Sequence, residues 1–220
     1  MMRREIIQTL DGSTTIHLPD WDECYHSKHG AIQESQHVFI KNGFSLFKGK
    51  SVSILEIGFG TGLNAFLTFL GADEIQEINY VGVEAYPVPA EEVLQLNYVQ
   101  ALDVENQAEV FKSMHQAMWD QTVALSENFQ LTKRKQFFDE IEDFNIFDLI
   151  YFDAFGYPVQ PELWSTEIFR KMYNALKPNG ILVTYAARGV VKRSMMEVGF
   201  KVEKLEGPPG KREMFRATKV

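Results

Sequence analysis

Acidic residues and glycines stand at four places where they could hold a cationic nucleoside. The densest is Glu56-Ile57-Gly58-Phe59-Gly60-Thr61-Gly62-Leu63-Asn64, an acid followed by glycines at every second position. Such glycines permit tight backbone bends and let a ligand lie against the main chain with no Cβ in the way. Dinucleotide-binding turns are spaced G-x-G-x-x-G and bring a pyrophosphate to a helix N-terminus. Here the spacing is G-x-G-x-G, and Glu56 precedes it. A carboxylate repels phosphate and pairs with an ammonium. The expected ligand therefore has an amino-acid end and no phosphate, a description that S-adenosylmethionine (SAM) meets. Glu56, Gly58, Gly60, Gly62 and Asn64 are its candidate contacts.

The other three places extend that chemistry. Glu84 closes the apolar run Tyr80-Val81-Gly82-Val83, and its two acceptor oxygens suit the two hydroxyls of a ribose. Asp139 and Glu140 follow the next strand, where sheets of this kind commonly hold an adenine amino group; Asp139 is the candidate, with Glu140 an open alternative. Asp153-Ala154-Phe155 closes the fourth strand. A sulfonium is positive, and so is an amine acceptor before it reacts. Carboxylates and aromatic faces favour both. Asp153, Phe155, Tyr157, Tyr25 and Tyr185 are expected to supply that environment, with Asp153 receiving a proton. No G-x-S-x-G elbow is present, which argues against a serine hydrolase. His26, His29 and His37 have neither a cysteine pair nor an H-E-x-x-H pattern beside them, so no metal site is expected.

These residues need strands and helices to position them. Apolar runs predict strands at 52–57, 80–84, 129–135, 147–153 and 181–185. Helices are expected at 62–70, 165–176 and 188–198, and two more within 89–125. Lys177-Pro178-Asn179-Gly180 reads as a helix stop. A closing hairpin spans 200–205 and 212–217. Upstream, Asp11-Gly12 predicts a hairpin of 5–9 with 14–18, and a helix after Gly30 with Ile32, Val38 and Phe39 as apolar contacts. The chain divides into an appendage, 1–48, and an α/β domain, 49–220. Alternating strands and helices give a Rossmann-like, mostly parallel sheet of seven strands with an antiparallel last strand. Its ligands bind outside the carboxyl ends of the strands. E/D-x-G-x-G-x-G followed by a helix resembles motif I of the class I methyltransferases.

Composition sets outer bounds. The 220 residues carry a net charge of −8 and are 45% hydrophobic, ordinary for a globular protein. A single cysteine, Cys24, fits a reducing, cytoplasmic setting. No apolar run is of membrane-spanning length, and Met1-Met2-Arg3-Arg4-Glu5 lacks a signal-peptide core. The acidic balance argues against non-specific nucleic-acid binding. From Arg188 onward, however, nine Lys/Arg face four Glu, a surplus of five positive charges. That segment suits one local polyanion.

Four stretches together resemble a known family: Tyr25-His26-Ser27 through Gly30-Ala31, Glu34-Ser35 and His37-Val38-Phe39; Glu56 through Asn64; Asp153-Ala154-Phe155 with Pro161-Glu162-Leu163-Trp164; and Thr184-Tyr185-Ala186 with Gly207-Pro208-Pro209-Gly210-Lys211-Arg212-Glu213-Met214. In order and content they resemble the MnmC/MnmD family of wobble-uridine methyltransferases, and more closely its stand-alone branch. The likeness spans nearly the whole chain and departs at Tyr157 and Gln160, where the bifunctional members usually carry Ala and Asn. It implies methylation by SAM of the aminomethyl group of 5-aminomethyl-2-thiouridine, or its oxygen analogue, in the anticodon loop of tRNA. It further implies that Tyr25, Ser27 and Glu34 contact the cofactor. On the substrate side it implies Tyr157, Trp164, Arg188, Lys192, Arg193, Lys211 and Arg212. No second glycine motif occurs in these residues, so no flavin-dependent half is expected. Two alternatives stay open: an aminopropyltransferase of the spermidine-synthase type, which uses decarboxylated SAM, and a non-catalytic SAM-binding module.

Overall fold

The computed structural model describes residues 3–220; Met1 and Met2, and what the sequence implies for them, lie outside the described residues. Three short strands come first, β1 (Glu5–Gln8), β2 (Thr14–Leu18) and β3 (Glu23–Cys24). β1 and β2 pair antiparallel across the Asp11-Gly12 turn, from Glu5 opposite His17 to Gln8 opposite Thr14. β3 adds a third strand that its two-residue length hid in the sequence. Helix α1 (Ala31–Ser35) continues into a wider π-helical turn, Gln36–Lys41.

The main sheet begins with β4 (Val52–Ile57), whose glycine loop runs into α2 (Leu63–Leu70). Then follow β5 (Ile78–Val83), the short helices α3 (Ala90–Val93) and α4 (Tyr98–Ala101), α5 (Ala108–Gln116), and strands β6 (Thr122–Ser126), β7 (Phe129–Arg134) and β8 (Phe147–Phe152). Helix α6 (Thr166–Ala175), β9 (Leu176–Thr184), α7 (Gly189–Glu197), β10 (Phe200–Glu206) and β11 (Glu213–Lys219) complete the chain. The strand order is β10-β11-β9-β8-β4-β5-β7-β6. The pairs among β9, β8, β4, β5 and β7 are parallel; β11 is antiparallel to β9.

The sheet has eight strands among the described residues, not the expected seven. The extra one is β6, antiparallel to β7 at the far edge. It is short and mostly half-exposed, so it lacks the apolar run that marks a central strand. The stretch before it holds three helices instead of two, because α3 and α4 are single turns. β9 starts earlier than expected: α6 stops at Ala175, and the Lys177-Pro178-Asn179-Gly180 segment is absorbed as an irregularity against β8, with Asn179 at φ +64°.

Side chains alternate across each strand. Val52 and Ile54 of β4 pack beneath α2, and Leu55 and Ile57 pack towards α6. Ala31, Val38, Phe39 and Phe44 of the N-terminal segment belong to the first of these cores. The Phe39 ring lies 5.2 Å from that of Tyr151 on β8. No helix of the described residues is long and apolar enough to cross a membrane. Because Phe39 is 1% exposed, Phe39→Ala is expected to destabilise the protein by about 3–5 kcal/mol, the range for a buried aromatic truncation. Denaturant unfolding followed by near- and far-UV circular dichroism checks this; a loss under 1 kcal/mol would detach the N-terminal segment from the core.

Candidate functional site

The carboxyl ends of β4, β5, β7, β8 and β9 open into one cavity of about 1120 Å³. Its floor is the glycine loop. Gly58, Gly60 and Gly62 have φ of +89°, +50° and +72°, conformations that residues with a Cβ avoid. At Gly58 a Cβ would also stand 2.6 Å from the carbonyl oxygen of Asp153. At Gly60 it would meet the Tyr25 ring at 3.2 Å. The loop is thus wedged between the end of β8 and the N-terminal segment, with its upper surface bare backbone.

Glu84 follows β5 and ties this loop down. Its Oε2 accepts the Gly60 N–H at 3.0 Å and its Oε1 accepts the Tyr86 N–H at 2.9 Å. Each oxygen keeps a further lone pair towards the cavity. Burial pushes its carboxyl above the usual range, although the backbone donors work against that shift. Asp139 lies on the turn after β7 and lines the cavity. Glu140 is not in the cavity wall; its carboxylate accepts the Phe137 N–H at 2.8 Å and caps that same turn.

Asp153 lies across the cavity from Glu84. Its Oδ2 accepts a hydrogen bond from Asn64 Nδ2 of α2 at 2.9 Å. Burial, then the charge of Glu34, pushes its carboxyl up to about 7; Asn64 and Lys211 act in the opposite direction. Aromatic rings surround it. Phe155 makes edge contacts with Tyr25 at 5.1 Å and with Trp21 at 5.8 Å. Tyr185 donates from its hydroxyl to Ala154 O at 2.8 Å. Half-dry carboxylates and ring faces beside bare backbone fit a nucleoside that carries a cation, and hence SAM.

Several expected contacts are placed elsewhere. Glu56 is fully buried, is absent from the cavity wall, and neither of its oxygens has a hydrogen-bond partner among the described residues. Burial pushes its carboxyl well above the ordinary range, and the side chain packs near Tyr80 and Asn64 away from the cavity wall. Ser27 and Glu34 also stand back from the cavity: Glu34 Oε2 accepts the Ser27 N–H at 2.8 Å and Oε1 meets Lys211 Nζ at 2.5 Å. Trp164 is 1% exposed. Its Nε1 donates to Phe155 O at 2.8 Å, so it braces the loop that carries Phe155. Tyr157 lies outside the cavity wall, with the Arg188 guanidinium 6.0 Å from its ring centre.

The basic C-terminal segment is divided in the same way. Lys211 is paired with Glu34, Arg216 with Glu203 and Lys204 with Glu213. Arg188, Arg193 and Arg212 are exposed and Lys192 is half-buried. Conversely, the cavity wall includes Arg4, Trp21, Lys135 and Phe137, which no local pattern singles out. Arg4 of the N-terminal segment reaches Glu92 and the carbonyl of Tyr86. Among the described residues no group of three His, Cys, Asp or Glu is arranged to hold a metal ion.

Comparison with known proteins supplies independent findings. Residues 111–220 match the profile of a family described as S-adenosyl-L-methionine-dependent methyltransferase. A Cupriavidus necator protein named tRNA 5-methylaminomethyl-2-thiouridine biosynthesis bifunctional protein MnmC is 31% identical over 219 residues, covering 91% of this chain and 32% of that protein. The chain spans about a third of the length of the curated relatives it matches. The crystal structure of MNMC2 from Aquifex aeolicus superposes with a TM-score of 0.79 at 24% identity, covering 100% of this chain and 71% of that one. Spermidine synthase from Thermotoga maritima shares the fold more distantly, with a TM-score of 0.58 at 14% identity over 100% of this chain and 74% of that one.

The raised carboxyl of Asp153 has a consequence for stability. Relative to the ordinary 3.8, the folded value of about 7 means that the native state prefers the protonated acid. Its contribution is fully present below pH 3.8 and is lost as pH rises through 7. Asp153→Asn removes that loss. The melting temperature of the variant minus that of the wild type is therefore expected to grow between pH 4 and pH 7 and to level off above; a difference independent of pH would contradict this.

Proposed function

This chain belongs to the S-adenosyl-L-methionine-dependent methyltransferases, and on that premise we propose that it methylates the aminomethyl group of 5-aminomethyl-2-thiouridine, or its oxygen analogue, at the wobble position of tRNA. The observation that carries the proposal is Asp153, held by Asn64 in the same cavity as the glycine loop and surrounded by Phe155, Tyr25 and Tyr185. The names of the relatives supply the substrate class.

Bound SAM supplies an activated methyl on its sulfonium. The glycine loop, Glu84 and Asp139, which line the cavity together, would hold its nucleoside and amino-acid ends. The acceptor must present a neutral amine in line with that methyl, so a proton has to leave it. Asp153 takes or accepts a hydrogen bond from that proton, and a carboxyl titrating near 7 suits the task at neutral pH. Phe155, Tyr25 and Tyr185 favour the cationic groups on either side of the transfer. Proximity supplies the remainder. Arg188, Arg193 and Arg212, the exposed cations of the C-terminal segment, contact anticodon phosphates in the cytoplasm.

The acidic pocket also separates substrates. A carboxymethylaminomethyl group would bring a carboxylate towards Asp153 and Glu84. Like charges close together in a partly dry site cost on the order of several kcal/mol. The aminomethyl form instead presents an amine that these groups favour.

Mass spectrometry of wobble nucleosides tests the proposal. With SAM and tRNA bearing the aminomethyl group, methylaminomethyl product is expected; with carboxymethylaminomethyl tRNA, none. Asp153→Asn should slow single-turnover methylation by about two orders of magnitude, the scale of a positioned proton acceptor, with SAM affinity changed far less. Binding of SAM without any product would return the chain to a non-catalytic module. Separately, changing Arg188, Arg193 and Arg212 to Ala should weaken tRNA binding and flatten its dependence on log salt by about two units, as expected for three lost contacts to single-stranded phosphates. An unchanged slope would remove this face from RNA binding.

A further inference from the structure

One charged pair beside the cavity is not used by the chemistry above. Lys211 lies in the turn between β10 and β11, and Glu34 lies on α1, 177 residues away in the chain. Their ion pair is 2.5 Å long, and the Glu34 side chain is only 8% exposed. The Ser27 N–H fixes the other Glu34 oxygen at 2.8 Å. Lys211 Nζ also lies 3.8 Å from the ring centre of Tyr185. Tyr185 in turn bonds the carbonyl of Ala154, the neighbour of Asp153. The turn is packed onto α1's entry as well, since a Cβ at Gly210 would overlap the His29 ring. The two charges are therefore locked in register with Asp153, not swinging in solvent.

We propose that Glu34 and Lys211 are positioning residues that set the charge on Asp153, Glu34 opposing its ionisation and Lys211 favouring it. This rests on Asp153 being the proton acceptor. Electrostatics agrees in sign: Glu34 pushes the Asp153 carboxyl up and Lys211 pulls it down. The other titratable groups facing Asp153 are Glu56 on β4, Tyr80 on β5, Tyr98 on α4 and Tyr185 after β9. Glu84 faces Glu56, while His26 faces Glu34 and Lys211 and has Asp11 beside it. Of these, Lys211 is the positive charge acting on Asp153, so its removal is not compensated locally.

The test reads Asp153 directly. Its side-chain carbon is followed by NMR against pH, assigned by loss of the signal in Asp153→Asn, alongside pH–rate profiles for methyl transfer. Lys211→Met is expected to raise the Asp153 midpoint by about half a unit or more, and Glu34→Gln to lower it by a similar amount. The acid limb of the rate profile should move with each. Lys211→Arg should keep the wild-type midpoint, and the double variant Glu34→Gln/Lys211→Met should fall between the singles. If Lys211→Met does not fold, Lys211→Gln reads the same sign. A merely structural pair would move both midpoints together or not at all, and either result overturns the proposal. Opposite shifts with undiminished turnover in Asp153→Asn would support the coupling while removing Asp153 from the chemistry.

Discussion

The site depends on how closely the glycine loop approaches the end of β8. At Gly58 there is no room for a side chain, because the Asp153 carbonyl already occupies the space. That contact follows from sheet order. β4 lies between β8 and β5, and Ile57 pairs with Phe152 on one side and Val83 on the other. The Asp153 N–H donates to Ile57 O at 2.9 Å, and the N–H groups of Gly58 and Phe59 both donate to Val83 O at 3.0 Å. Three strand ends are stitched into one ledge. The first turn of α2 then stands directly over it, which is how Asn64 comes to hold Asp153. The crevice lies where strand order reverses, the place that open parallel sheets offer to a ligand.

The ledge gathers acids in a region that solvates them poorly. Burial raises the carboxyls of Asp153 and Glu84, which line the cavity, and of Glu56 behind it, so each ionises less readily than in water and a nearby cation offsets that cost. Behind the loop the arrangement is mirrored by a base. Lys133 is buried, donates to His115 O at 2.7 Å, and is pulled down to about 8 by desolvation. Charge is thus kept costly on both sides of the glycine turn. A ligand that brings its own cation relieves the front side only.

Much of this was legible in the sequence for a simple reason. A buried parallel strand is a local apolar run, and the residue that ends it is already marked. Gly58, Gly60, Glu84 and Asp153 were read that way and all line one cavity, whereas Gly62 lies outside its wall and packs against the His115 ring. Glu56 lies outside the cavity wall, and the signal for that existed: alternation puts it on the same face as Val52 and Ile54, beneath α2. Lys211 and Glu34 were each named as contacts, but their pairing was beyond reach, because nothing local reports a contact across 177 residues. Trp164, expected on the substrate side, is buried outside the cavity wall and braces the loop through its hydrogen bond to Phe155 O. Arg4 and Trp21 were missed because an isolated cation or indole near a hairpin carries no periodicity to read.

Arg4 and Trp21 share an origin that explains why the N-terminal segment is built onto this sheet. The sheet alone would leave the glycine loop open on the side where Gly60 meets Tyr25. Tyr25 follows directly on β3, and its N–H is held by Ile16 O at 2.9 Å on β2. Trp21 precedes β3 and Arg4 precedes β1. All three line the cavity. β1 to β3 therefore act as a rigid wall, and α1 with its π-helical turn anchors that wall by burying Val38 and Phe39 in the sheet's own core. The second anchor is polar: Glu34, at the end of the wall's first helix, is the residue that captures Lys211 from the last hairpin. The N-terminal segment and the β10–β11 turn are thereby joined behind the cavity wall, where Lys211 also lies against the Tyr185 ring whose hydroxyl bonds the carbonyl of Ala154, next to Asp153.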